Sequence, residues 1–221
     1  MVKVYVANVS NLPDPKDNPE LLKGLSDTRV KKTMRYRQAK DRKQSFGAGL
    51  LLNQCLKEYH IDIKSIRYGE HGKPEVQGIC FNLSHSQDMV VCAVSEMPVG
   101  CDIEIIGELK EGIAERFFTK NEVRYLEQFQ GNKKRDAFYR LWTMKESYMK
   151  MTGEGMSLSL DCFEFVIEDR IKVLRDGILA ECYLEEYQLP GYKLTVCAKE
   201  NEFVPEVKYV LFERRRSLEK I

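Results

Sequence analysis

Two stretches carry groups able to act together on a substrate. From Val99 to Ile106 (VGCDIEII) the residues alternate, so a strand would project Asp102 and Glu104 from one face and Cys101, Ile103 and Ile105 from the other. Neighbouring carboxylates on a strand repel, so this arrangement is either exposed and mildly unfavourable or a seat for a hard cation. Further along, Phe138 to Gly155 reads as one helix on which Trp142, Glu146 and Lys150 stack along a stripe. Leu141, Met144, Tyr148 and Met151 form an apolar face beside it. Taken alone, Glu146 and Lys150 are an exposed ion pair worth about 0.2–0.5 kcal/mol. If Glu146 approaches Asp102 and Glu104, three carboxylates converge. That set suits magnesium, which leaves its remaining octahedral positions to water and phosphate oxygens.

A third stretch, Phe81-Asn82-Leu83-Ser84-His85-Ser86, places a histidine between two serines after an apolar run. A lone histidine is more often structural than functional, yet this cluster offers several polar donors to an anion. A serine–histidine dyad is excluded as a hydrolase centre, because adjacent residues of an extended chain point to opposite faces. The sequence also lacks a Gly-x-Ser-x-Gly elbow.

Gly100-x-Asp102-x-Glu104 followed by Trp142-x-x-Lys145-Glu146-Ser147-x-x-Lys150 resembles the two signature motifs of the 4'-phosphopantetheinyl transferases, in their larger, surfactin-synthetase-activating class. Gly72-Lys73-Pro74 and the Phe81 to Ser86 stretch fall upstream in the family's order, so the resemblance spans roughly residues 30 to 165. It implies an α+β fold of two similar halves, 1–106 and 107–221, with the active site in the cleft between them. It implies transfer of phosphopantetheine from coenzyme A to a serine of an acyl or peptidyl carrier protein, with release of 3',5'-ADP. Magnesium would be held by Asp102, Glu104 and Glu146, with Glu146 and Lys150 as catalytic residues. Coenzyme A would be bound by Lys31, Lys43, Lys73, Ser84, His85 and Lys150. Cys101 stands where the family commonly has an aliphatic residue, and it should pack away from the metal. The family's larger class also implies a monomer that docks its carrier with part of residues 107–135.

The elements that must position these groups are partly legible. Val2, Val4 and Val6 mark a first strand, and Pro13 and Pro15 a turn-rich segment after it. Pro19 to His60 reads as helical and includes a basic cluster from Arg29 to Lys43, whose default fate is a solvated face. Strands are expected at 61–67, 79–83, 89–95 and 101–106. Two short helices, ended by Gly131-Asn132, should lead to the Phe138 helix, which Thr152-Gly153-Glu154-Gly155 stops. Strands then follow at 158–167, 171–174, 178–187, 193–199 and 207–212, before a basic tail at Glu213 to Arg216.

Composition narrows the class. The chain has 221 residues, enough to bury a large core, and 35 Lys plus Arg against 34 Asp plus Glu leave a net charge of +1. No overall field then favours nucleic acid or an anionic membrane, and no apolar run is long enough to span a bilayer. The 7 cysteines form no Cys-x-x-Cys pair, which points to reduced core residues in a cytoplasm. Two other classes fit part of the pattern. A non-catalytic coenzyme A or nucleotide-binding module has no need of three carboxylates, and a metal-dependent phosphodiesterase would use the same ligands with water as nucleophile.

Overall fold

Valines at every second position set the first strand. Val4 and Val6 fill one face of β1 (Lys3–Asn8), Tyr5 and Ala7 fill the other, and all four are buried, so this strand has a core on each side. The computed structural model describes residues 1–69, 73–109 and 111–212; Gly72 and the basic tail lie outside them. The helices are α1 (Asp27–Arg35), α2 (Ala39–Glu58), α3 (Ile113–Phe117), α4 (Lys120–Glu127) and α5 (Gly131–Thr152). The remaining strands are β2 (Arg67–Tyr68), β3 (Pro74–Glu75), β4 (Cys80–Ser86), β5 (Met89–Ser95), β6 (Val99–Ile105), β7 (Phe163–Ile167), β8 (Ile171–Arg175), β9 (Ile178–Leu179), β10 (Tyr183–Leu189), β11 (Tyr192–Ala198) and β12 (Lys208–Tyr209).

The architecture is α+β, as the sequence implies, and one plan occurs twice. In the first half β1 is followed by α2 and the β4–β5 hairpin, and β1 pairs antiparallel with β5. In the second, β6 is followed by α5 and the β10–β11 hairpin, and β6 pairs antiparallel with β11. Leu51, Leu52, Cys55 and Leu56 of α2 pack on Tyr5, Val90, Cys92 and Val94. Leu141, Met144, Tyr148 and Met151, the expected apolar face of α5, pack with Cys197, Phe163 and Phe165. Between the sheets, Val2, Val4, Val6 and Val91 meet Cys101, Ile103, Leu194 and Val196 in a third core. Strand β6 pairs with β11 and not with a strand of the β1 sheet.

Several elements depart from the sequence reading for local reasons. The expected strand at 61–67 is largely a 3-10 turn at Ile63–Ser65, capped by Asp62, whose carboxylate accepts Lys64 N–H at 2.9 Å. Ile63 and Ile66 are buried under α2, so their three-residue spacing reflects a turn rather than a pleat. The helical stretch from Pro19 breaks at Tyr36 to Gln38, where the buried Arg42 donates to the carbonyls of Tyr36 (3.0 Å) and Arg37 (2.7 Å) and pairs with Asp14. Gly131 begins α5 instead of ending α4, its φ of 53° admitting the sharp entry. The strand expected at 158–167 starts only at Phe163, and that at 207–212 is reduced to Lys208–Tyr209, parallel to β1. All 7 cysteines are free thiols, and Cys55, Cys92, Cys101 and Cys197 are buried.

Candidate active site

The site is built on an unusual junction between β4 and β6. Pairing with β11 leaves the N–H groups of Cys101, Ile103 and Ile105 facing β4, and they donate to side chains instead of backbone. Cys101 N–H reaches Asn82 Oδ1 at 3.1 Å, Ile103 N–H reaches Ser84 Oγ at 3.5 Å, and Ile105 N–H reaches Ser86 Oγ at 3.1 Å. The two strands therefore run side by side in the same direction. The hydroxyls in turn donate to the acidic side chains of β6: Ser84 to Asp102 Oδ1 and Ser86 to Glu104 Oε2, each at 2.8 Å. Cys101 and Ile103 point into the inter-sheet core, so Cys101 packs on the face away from the carboxylates, as expected.

Helix α5 lies directly on the backbone of β6. A Cβ placed on Gly100 would sit 2.1 Å from the Ser147 carbonyl oxygen and 2.3 Å from Met151 N, so only glycine permits this approach. The contact brings Lys150 Nζ to 2.5 Å from Asp102 Oδ1 and 3.1 Å from Ser84 Oγ. Gly100→Ala should push α5 off the strand and lower activity by about 100-fold or more, since ångström misplacement of reacting groups has that effect. Steady-state kinetics check this; near-normal turnover in Gly100→Ala would show that the close approach is dispensable.

The electrostatics are those of crowded carboxylates in poor solvent. Glu104 is pushed up to about 7, first by burial and then by Asp102 and Glu146, against the Ser86 hydrogen bond and Lys150. Glu146 is also raised, by burial and by Asp102, with Lys150 pulling it down. Burial alone would lower Lys150, but Asp102 reverses that and holds the ammonium charged. Glu104 and Glu146 thus both feel the charge of Asp102. Asp102 is 3% exposed, and its Oδ2 is buried with no hydrogen-bond partner. Such an orphaned charged oxygen is rare, and a bound cation would satisfy it. Among the described residues no three acidic, thiol or imidazole groups are gathered closely enough to hold a metal as they stand; the cation touching Asp102 here is Lys150.

Cations of the first half bear on His85. His85 reaches the surface on β4, and its pKa is lowered by lost hydration and then by Lys150, Lys32 and Arg29. Arg29 and Lys32, three residues apart on α1, are neighbours on the helix surface, and the charge of both bears on His85. Both have their pKa lowered by burial, and Arg29 lies near Tyr68 and Tyr36. Lys31 is exposed, as is Lys32, and the ammonium of Lys43 donates to the Ser10 carbonyl at 3.4 Å. Within the basic cluster, the i,i+3 spacing of Arg29 and Lys32 beside the buried Thr33 was the available signal. Lys73 is half-buried, and its ammonium donates to the Lys150 carbonyl at 2.9 Å, steadying the C-terminal end of α5. Ser84 is buried and its hydroxyl is turned to Asp102 and Lys150.

Two motif residues face away from the cleft. Lys145 is fully buried; its ammonium pairs with Glu122 at 2.8 Å and donates to the carbonyls of Leu160 and Phe163 at 2.7 Å. Trp142 packs against Phe117 (5.7 Å, edge-on) and Phe138 (5.9 Å, stacked), seating α3 on α5. They hold the helix that presents Glu146 and Lys150.

Residues 98–197 match the 4'-phosphopantetheinyl transferase superfamily. The chain is 30% identical to the 4'-phosphopantetheinyl transferase Sfp of Bacillus subtilis (strain 168), with 96% of this chain and 99% of that protein covered. A 4'-phosphopantetheinyl transferase of Bacillus subtilis is 32% identical over the same shares. The 4'-phosphopantetheinyl transferase gsp of Aneurinibacillus migulanus is 38% identical, covering 74% of this chain and 70% of its own length.

Proposed function

This chain belongs to the 4'-phosphopantetheinyl transferase superfamily, and from that premise we propose how its own residues carry out the reaction. The enzyme transfers 4'-phosphopantetheine from coenzyme A to a carrier protein and releases 3',5'-ADP. In that step a serine oxygen of the carrier bonds to the phosphorus that bears pantetheine, the bond from this phosphorus to 3',5'-ADP breaks, and the serine proton must be removed. Glu146 takes that proton. Its raised pKa makes it a better base than an exposed carboxylate, and it lies one helical turn from Lys150. Lys150 offers its charge to the phosphoryl oxygens that gain negative charge as the bond breaks. Arg29, Lys32 and His85 hold the nucleotide phosphates from the opposite wall. Lys31, Lys43 and Lys73 add positive charge for coenzyme A, and Lys73 also fixes the end of α5.

Asp102, Glu104 and Glu146 would hold magnesium, which when bound withdraws charge from the pyrophosphate. The observation that supports it is the buried, unpartnered Oδ2 of Asp102, whose charge also helps to raise the carboxyls of Glu104 and Glu146. We further infer a cytoplasmic monomer without nucleic-acid or membrane partners. The near-neutral charge supports this, as does the doubling of one plan within one chain, and no described helix is long and apolar enough to cross a membrane.

Incubation with coenzyme A and an unmodified carrier protein, with and without magnesium, tests the reading. A carrier mass increase of one phosphopantetheine, lost on chelation and restored by magnesium, is expected. Free 3',5'-ADP without carrier modification would instead mark a phosphodiesterase, and neither product would mark a binding module.

A further inference from the structure

The β4–β6 junction repeats one unit. Ser84 accepts the N–H of Ile103 and donates to Asp102; two residues on, Ser86 accepts the N–H of Ile105 and donates to Glu104. Both hydroxyls are buried, 7% and 9% exposed. A serine hydroxyl has one proton, and here each is spent on a carboxylate of β6. The acceptor bond to the strand backbone fixes where the oxygen stands, so the donated bond fixes the carboxylate relative to its own strand.

Glu104 depends on this more than Asp102 does. Asp102 is also held by Lys150. The cross-strand partner of Glu104 is Lys193, the obvious cation for it, but Lys193 Nζ is drawn 2.9 Å to Asp136. That leaves the Ser86 hydroxyl as the group that orients the half-buried Glu104 carboxylate.

We propose that Ser86 is a positioning residue that aims Glu104 at the magnesium of the transfer reaction. The inference rests on the metal-dependent reading above. Groups that orient ligands typically change metal affinity or activity by 10- to 100-fold when removed.

The test uses the full chain with Ser86→Ala and Ser86→Thr. Ser86→Ala should raise the magnesium concentration for half-maximal transfer by about 10-fold or more, leave KM for coenzyme A unchanged, and weaken manganese binding to the free enzyme, read by electron paramagnetic resonance, to the same degree. Ser86→Thr, which keeps the hydroxyl, should restore both. Placed on Glu104→Gln, Ser86→Ala should add less than about twofold, because the group it aims is already altered. Should Ser86→Ala not fold, Ser86→Cys keeps the volume, weakens the donor and carries the same expectation. Unchanged magnesium and manganese dependence, a loss confined to KM for coenzyme A, or failure of threonine to rescue would each overturn the proposal. A wild-type enzyme that transfers nothing would instead sink the underlying reading, so the two failures are distinct.

Discussion

Glu146→Gln is expected to lower kcat for phosphopantetheine transfer by at least about 10²–10⁴-fold, the contribution usual for a positioned acid–base group, and by more if the carboxylate is also a metal ligand. Glutamine keeps the shape of the side chain and removes both the charge and the basicity. The folded protein should not suffer. Glu146 has a raised pKa, from burial and from Asp102, so its ionisation at neutral pH works against folding, and a neutral amide relieves that opposition. The thermal midpoint of Glu146→Gln should therefore equal or slightly exceed that of the wild type. Transfer is followed by the mass of the carrier and by release of 3',5'-ADP. Loss of kcat and kcat/KM in equal measure would place the defect in the transition state. Undiminished turnover would remove Glu146 from the chemistry.

The second large effect is on stability. Lys145→Met should destabilise the fold by about 3–5 kcal/mol, because it strands Glu122 as a buried charge and empties two carbonyl acceptors. For a chain of this size that is roughly 6–20 °C in Tm. Glu122 and Lys145 are 1% and 0% exposed, and Glu122 also accepts the backbone N–H of Thr119 and Phe165 at 2.9 Å each. The pair therefore ties α4, α5 and the start of β7 at one point. Burial lowers the Lys145 pKa, while Glu122 opposes that fall. A Glu122→Gln/Lys145→Met double variant, having no stranded charge, should recover part of the loss. Urea unfolding of the three proteins measures the coupling; a Lys145→Met variant within about 1 kcal/mol of wild type would show that the buried pair holds nothing together.

The chemistry-bearing residues were legible because each follows from a short period. Alternation on β6 put Asp102 and Glu104 on one face and Cys101 and Ile103 on the other, and both faces are as read. Four-residue spacing on α5 separated the stripe of Trp142, Glu146 and Lys150 from the core face of Leu141, Met144, Tyr148 and Met151, although Trp142 itself packs against that core. Boundaries were less legible where a distant group intervened. Arg42 breaks the early helical stretch by drawing carbonyls to itself, and Lys145 holds the chain in a turn before β7. Nothing near those positions in the sequence announces a cation arriving from elsewhere.

Which cations bear on His85 was also undecided by spacing alone. Eight basic residues from Arg29 to Lys43 look alike as a charge cluster, yet among them it is Arg29 and Lys32 whose charge bears on His85. The facing of a helix depends on what it packs against, and the buried Thr33, bonded to Ser45 of α2, sets that rotation.

By itself, the order of residue types determined the local periods, the family and the pair of acidic and basic side chains proposed for the chemistry, since these depend on neighbours along the chain. Tertiary structure alone decided that Gly100 lets a helix rest on a strand, that Lys145 leaves the cleft for the core, and that two serines of β4 grip the carboxylates of β6. Each of these joins residues far apart in sequence through contacts of about 3 Å, a distance that no local pattern encodes.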